Sequence, residues 1–210
     1  MIDSRTYYVI PARKGSKGFP GKNRKLLDYT LKIIPPTGSS VIITSDDEEI
    51  LAKGKERGYH LINRNEELSN DTASLKDVLL DVVNKVQMND NDIIVMLYLT
   101  YPKRTRNDIT DAMDFFKKFE ARSLLCRNVV KTHPYLCAEA KVGHKGKQIT
   151  PHNLYRRQDY PEAFIISHYI FIAYADEIEK LNKNLYNKDT VFFPIEDRID
   201  VDTEEDFLKL

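Results

Sequence analysis

The chain has 210 residues, 41% hydrophobic and 30% charged, with 32 Lys+Arg balanced against 32 Asp+Glu and only two cysteines. That length fits one domain with a substantial core. The zero net charge argues against a dedicated nucleic-acid binder, the apolar content against extended disorder, and two isolated cysteines against a disulfide framework. Cys126 and Cys137 read as buried free thiols. No basic stretch followed by an apolar segment opens the chain, and the longest apolar run, 93–101, is too short to cross a bilayer. A cytoplasmic protein with no membrane partner is expected.

In chain order, residues 7–12 read as a buried strand that runs into Ala12-Arg13-Lys14-Gly15-Ser16-Lys17-Gly18-Phe19-Pro20-Gly21-Lys22-Asn23. Residues 41–44 form the next strand candidate. Ser45 then offers an N-cap with Glu48 three residues on, predicting a helix to about Arg57 that Gly58 ends. A short strand at 60–63 precedes a helix opened by Ser74 and Asp77, whose Leu75, Val78, Leu79, Val82, Val83 and Val86 share one face. Residues 93–99 are continuously apolar, as in a strand buried on both faces. Ile109, Ala112, Met113 and Phe116 mark a further helix. This alternation predicts a mostly parallel sheet with right-handed crossovers and helices on both faces, a three-layer α/β arrangement.

The pattern changes after Phe119. Residues 123–130 suit a strand, 136–160 are polar and basic, and 142–147 read as a hairpin tip. Regularity returns at 163–174, with a helix expected at 176–185, a strand at 191–195 and a last short helix capped by Thr203 and Asp206. Without repeats or a linker, 1–210 reads as one domain, with 131–160 as an inserted arm.

The loop after the first strand carries most of the chemistry. Its glycines allow backbone N–H groups to approach an anion, and Arg13, Lys14, Lys17 and Lys22 neutralise one. It is not a Walker A loop: the glycine spacing is too wide, and Asn23 stands where Ser or Thr would hold magnesium. In open α/β sheets, ligands bind beyond the carboxyl ends of the strands, which is where this loop falls. Arg13 and Lys22 are the best triphosphate ligands, Lys17 a further one; Lys14, Arg24 and Lys25 read as solvated. Asn23 carries both a donor and an acceptor for a base or sugar. Near the C-terminus, Asp200 and Asp202 form a carboxylate pair that either suits magnesium or simply caps and solvates the end of the chain, whereas Asp206 reads as a cap.

Residue for residue, the 12–23 loop resembles the signature loop of the cytidylyltransferases that activate sugar acids, and the chain resembles the CMP-sialic acid synthetase (acylneuraminate cytidylyltransferase) family. Further segments agree: Thr44 to Ile50, Arg64 with Leu68 and Asp71 to Ser74, Leu99 to Arg104 with Asp108, Arg157-Gln158, and Asp200-Val201-Asp202-Thr203. The resemblance implies a nucleotide-diphospho-sugar transferase-like fold with a dimerisation arm at 131–160. It also implies transfer of CMP from CTP to a small acidic sugar of the nonulosonic type, with release of pyrophosphate. CTP would contact Ala12, Arg13, Lys17, Lys22, Asn23, Arg64 and Ser74. Arg13, Lys22 and Asp202 would carry catalysis, and Asp200 and Asp202 would hold Mg2+, or Mn2+ in its place. The acceptor would meet Tyr98, Arg104, Leu136, Arg157, Ser167 and Phe171, in a homodimer where Arg157 serves a neighbouring subunit.

Departures from the family pattern cluster on the acceptor side. Tyr98, Leu99, Leu136, Ser167 and Phe171 stand where members taking sialic acid carry glutamine, proline, lysine, asparagine and tyrosine; Leu75 replaces a serine near the base. Loss of those polar groups leaves open a different acceptor, such as a 3-deoxy sugar acid or a phosphonate. A catalytically silent nucleotide-binding module is a further alternative, which the retained Asp200 and Asp202 oppose.

Overall fold

The computed structural model describes residues 5–16, 18–34, 39–196 and 198–210. Its centre is a seven-stranded sheet built from β1 (Thr6–Pro11), β2 (Ser39–Ser45), β3 (His60–Asn63), β4 (Ile93–Met96), β5 (Ser123–Val129), β8 (Phe164–Tyr174) and β9 (Val191–Pro194). A separate two-stranded hairpin joins β6 (Ala138–Lys141) to β7 (Lys145–Gln148). The sheet order is β3-β2-β1-β4-β8-β5-β9; β8 runs antiparallel to both neighbours, and every other pairing is parallel. The mostly parallel sheet expected from the β-α alternation is present.

Strand sequence explains the layering. Along β1, Tyr8 and Ile10 join a core beneath α1 (Lys22–Leu31), α2 (Glu48–Glu56) and α4 (Arg106–Lys118), supplied by Leu26, Leu27, Ile50, Ile109 and Phe116. Tyr7 and Val9 point the other way, into a second core with Leu79 and Val82 of α3 (Leu75–Val86) and Ile178. Successive side chains of a strand alternate faces, so a strand apolar at every position buries both. The short α5 (Glu204–Phe207) closes the chain, with Thr203 and Asp206 forming the expected capping box.

Several local readings are corrected. Helix α1 was not anticipated: Gly21 occupies its N-cap at φ 69°, no side chain caps it, and its first turn carries no acid. α2 starts at Glu48 with Asp47, not Ser45, as its cap; the Ser45 hydroxyl instead donates to the Ala12 carbonyl while accepting from the Asp47 amide. β4 ends at Met96; the Leu97 amide still donates to the Val9 carbonyl of β1 at 3.0 Å, and the expected continuation of the strand to Leu99 is not present. The helix expected at 176–185 is only a 3-10 stretch, Ala175–Lys180, because the Asn182 side chain accepts from the Asn184 and Tyr186 amides and turns the chain. The hairpin falls where expected, and all its strand residues are exposed. Cys126 is a buried free thiol as expected, whereas the free Cys137 is only half-buried.

Candidate active site

A cavity of about 320 Å³ opens beyond the carboxyl end of β1. Its lining includes Arg13, Lys22 and Asn23 from the β1–α1 region, Arg64 and Asp71 after β3, and Tyr98 with Leu99 and Thr100 after β4. Residues from three separate segments therefore converge at the sheet edge where α/β folds bind ligands.

Loop geometry follows from its glycines. A Cβ at Gly18 would sit 3.1 Å from the Asp202 carbonyl, a tight contact that glycine avoids where the loop approaches the C-terminal segment. Gly21 supplies the left-handed turn that starts α1. Lys22 and Asn23 thereby lie in the first turn of a helix whose N-terminus is free of acids, an arrangement that favours a bound anion.

The cavity's cations are already partnered. Arg13 Nη1 lies 2.6 Å from Asp71 Oδ1, and Lys22 Nζ lies 3.0 Å from Asp202 Oδ1. Asn23 Nδ2 donates to the Arg13 carbonyl at 2.8 Å, so its amide braces the loop. Arg64 is buried and donates to the Thr44 carbonyl at 2.8 Å and to Thr44 Oγ1 at 3.3 Å. Burial lowers its guanidinium to about 10, which leaves it charged at neutral pH. Ala12 is fully buried, and its amide donates to the Thr44 carbonyl. The Ser74 hydroxyl caps α3 through the Asp77 amide, with only its neighbours Ala73 and Leu75 on the cavity wall. Lys17 lies outside the described residues.

Among the cations read as solvated, Arg24 is a correction. It donates to Asp47 and Glu49 and ties α1 to α2; Asp47 is held below the ordinary range by these bonds and the Glu49 amide despite a burial that raises it. Lys25 sits 4.4 Å above the Phe19 ring.

On the acceptor side the expected residues do not all reach the cavity. Tyr98 lines it, with its ring 5.5 Å from that of His168. Burial pushes the Tyr98 and Tyr101 hydroxyls above the ordinary phenol range; Ser167 opposes this at Tyr101, and the Asp200 carboxylate adds to it at both. Ser167 is buried, 3.5 Å from the Tyr101 hydroxyl. Phe171 is fully buried in the second core opposite Met96, and Arg104 lies under the cavity, 2% exposed, donating to the Tyr98 carbonyl against the Tyr101 and Tyr169 rings. Leu136 and Arg157 belong to two 3-10 turns of the arm, both exposed and neither on the cavity wall.

Asp200 and Asp202 flank the buried Val201, whose amide donates to the Thr100 carbonyl at 2.8 Å. Both carboxylates are exposed, and Asp202 already meets the phosphate-binding candidate Lys22. Two hard oxygen donors beside a phosphate site fit a divalent cation that takes its remaining ligands from phosphate and water. No cluster of three or more candidate ligands exists among the described residues.

The cytidylyltransferase family model matches residues 7–198. The chain belongs to that family. Among similar proteins is the N-acylneuraminate cytidylyltransferase of Streptococcus agalactiae serotype V, 28% identical over 95% of this chain. The chain spans about half, 51%, of that relative's length. A CMP-N,N'-diacetyllegionaminic acid synthase of Legionella pneumophila is 27% identical over 97% of this chain and 93% of its own. In fold, the chain resembles a CMP:2-keto-3-deoxy-manno-octonic acid synthetase complexed with CTP, with TM-score 0.64 at 16% identity over 98% and 96% of the two chains. No helix among the described residues is long and apolar enough to cross a membrane.

The motif reading named the site's cations but missed their partners: Asp71, quoted only as part of a motif, pairs with Arg13, and Thr44 anchors Arg64. Spacing carries no signal for contacts 58 residues apart in sequence.

Proposed function

We propose that this protein transfers CMP from CTP to a nonulosonic sugar acid, releasing pyrophosphate. The observation that carries the reading is the convergence of Arg13, Lys22, Asn23 and Arg64 with Tyr98–Thr100 around one cavity beside Asp202. The acceptor class comes from the relatives, whose names specify N-acylneuraminate and diacetyllegionaminic acid.

In this reading the triphosphate lies along the loop and the N-terminus of α1. Arg13 and Lys22 bind its oxygens and offset the charge that develops on the departing pyrophosphate. An acceptor oxygen approaches the α-phosphorus from the Tyr98–Thr100 side, in line with the leaving group. Asp200 and Asp202 would hold Mg2+, with Mn2+ as a substitute, which when bound neutralises phosphate charge. Asn23 keeps the loop in shape through the Arg13 carbonyl, and Arg64 does so for the wall through Thr44. The exposed β6–β7 hairpin is the arm through which a homodimer would form, bringing Leu136 and Arg157 to a neighbouring site. A cytoplasmic location belongs to the same reading.

The test is pyrophosphate release from CTP, UTP, ATP and GTP against a panel of sugar acids and phosphonates. Release with CTP and a nonulosonic acid, lost in Arg13→Ala, is expected. Equal use of all four nucleotides, or none with any acid, would overturn the reading.

A further inference from the structure

We propose that the Arg13–Asp71 ion pair is a latch across the mouth of the nucleotide cavity, opened when a triphosphate takes Arg13, and that Asp71 is a positioning residue that sets nucleotide affinity. This rests on the reading of the cavity as a CTP site.

Arg13 comes from the loop between β1 and α1, Asp71 from the loop between β3 and α3, and both line the same cavity. Their 2.6 Å contact joins two loops at the surface, with the side chains 37% and 47% exposed. A structural brace looks different here: Arg24 holds Asp47, the N-cap of α2, whose side chain is 1% exposed. Exposure at a cavity mouth makes the Arg13 pair one that opens at little cost.

The partner exchange follows from donor chemistry. A guanidinium presents a planar fork that accepts a carboxylate or a phosphate, and the Nη1 group that serves Asp71 is withdrawn from the phosphate. In the free protein Asp71 therefore stands in for a phosphate oxygen. As the nucleotide enters, Arg13 turns to it, and the Asp71 carboxylate is left facing the anion. As pyrophosphate leaves, Asp71 recaptures Arg13. Lys22 and Asp202 form the corresponding pair deeper in the site, with Lys22 12% exposed. Asp202 keeps a role toward the metal there, whereas Asp71 meets Arg13 at the cavity mouth. Asp71 thus weakens nucleotide binding and speeds release.

The test measures CTP binding by calorimetry for wild type, Asp71→Asn, Asp71→Ser and Glu66→Gln at low and high salt, with thermal midpoints to confirm folding. Glu66 is exposed in the adjoining groove with Asp46, Arg64, Ser69 and Asn70, and its change removes the same charge without touching the latch. Exposed ion pairs contribute modestly, so both Asp71 variants are expected to bind CTP about two- to five-fold tighter. The gain should shrink at high salt, where an exposed pair is screened, and product inhibition by pyrophosphate should strengthen. Unchanged or weaker CTP binding by folded Asp71 variants, or equal tightening in Glu66→Gln, would overturn the latch while leaving the CTP site standing. Failure of wild type to bind CTP would overturn both.

Discussion

Replacing Lys22 by methionine separates catalysis from stability. The Lys22 stem is largely buried, with its side chain 12% exposed, and methionine fills similar space. Its ammonium touches Asp202, whose side chain is 72% exposed, so solvent already serves that carboxylate once the partner is gone. A pair this open contributes at most about 1 kcal/mol to folding, a shift of roughly 2–4 °C in midpoint for a chain of this size. The same ammonium, directed at a phosphate, makes a charge-assisted contact of about 1.5–3 kcal/mol. Lost in the transition state, that lowers kcat/KM for CTP by roughly ten- to 150-fold. Steady-state pyrophosphate release and a thermal melt on the same preparation are the assay. Wild-type kinetics in a folded Lys22→Met protein, or a kinetic loss matched by a collapse in stability, would refute the assignment of Lys22 to the phosphates.

Asp202→Asn is expected to raise the magnesium requirement sharply or abolish turnover, since a neutral amide is a poor ligand for a hard cation; an unchanged magnesium titration would remove the pair from the metal site. Asp108 is held below its ordinary value of 3.8: bonds from Thr105 and Tyr169, with the Arg198 charge, outweigh a burial that raises it. Its depressed value makes it stabilising above the unfolded pKa, an effect lost as pH falls through the folded one. Urea midpoints should therefore drop more steeply below about pH 4 in wild type than in Asp108→Asn, and parallel curves would contradict this. With the Tyr98 ring on the cavity wall, N-acetylneuraminate should be used less well than a less hydroxylated nonulosonic acid, because each unpaired hydroxyl costs about 1–3 kcal/mol. Competition between the two acids in one reaction reads this directly, and a preference for N-acetylneuraminate would sink it.

What the sequence disclosed follows from which forces are local. The glycine-rich loop after β1 was legible as a wall of the cavity because its glycines and cations stand in one contiguous stretch. The two-faced core of β1 and β4 was legible because burial on both sides demands unbroken apolar runs. Helix α1 escaped because the usual N-terminal signals, a capping side chain and acids in the first turn, are absent where an anion would compete with them. Phe171 escaped for a different reason. Leu124 pairs with Ile172 but Cys126 with Ser167, so β8 carries extra residues between them and its alternation of faces is broken. Tyr169 and Ile170 consequently enter the same core, and Phe171 turns into the other. No single-strand pattern reveals such a bulge. The partners of Arg13 and Lys22 were hidden because they are set by packing between distant segments.

The central claim is cytidylyl transfer at the cavity lined by Arg13 and Lys22. Mass spectrometry of a reaction holding CTP, magnesium and a mixture of nonulosonic acids tests it most directly. The account predicts one CMP–sugar acid conjugate formed in step with pyrophosphate, and its loss with Lys22→Met. Absence of any CMP conjugate while the folded protein hydrolyses or ignores CTP would contradict it.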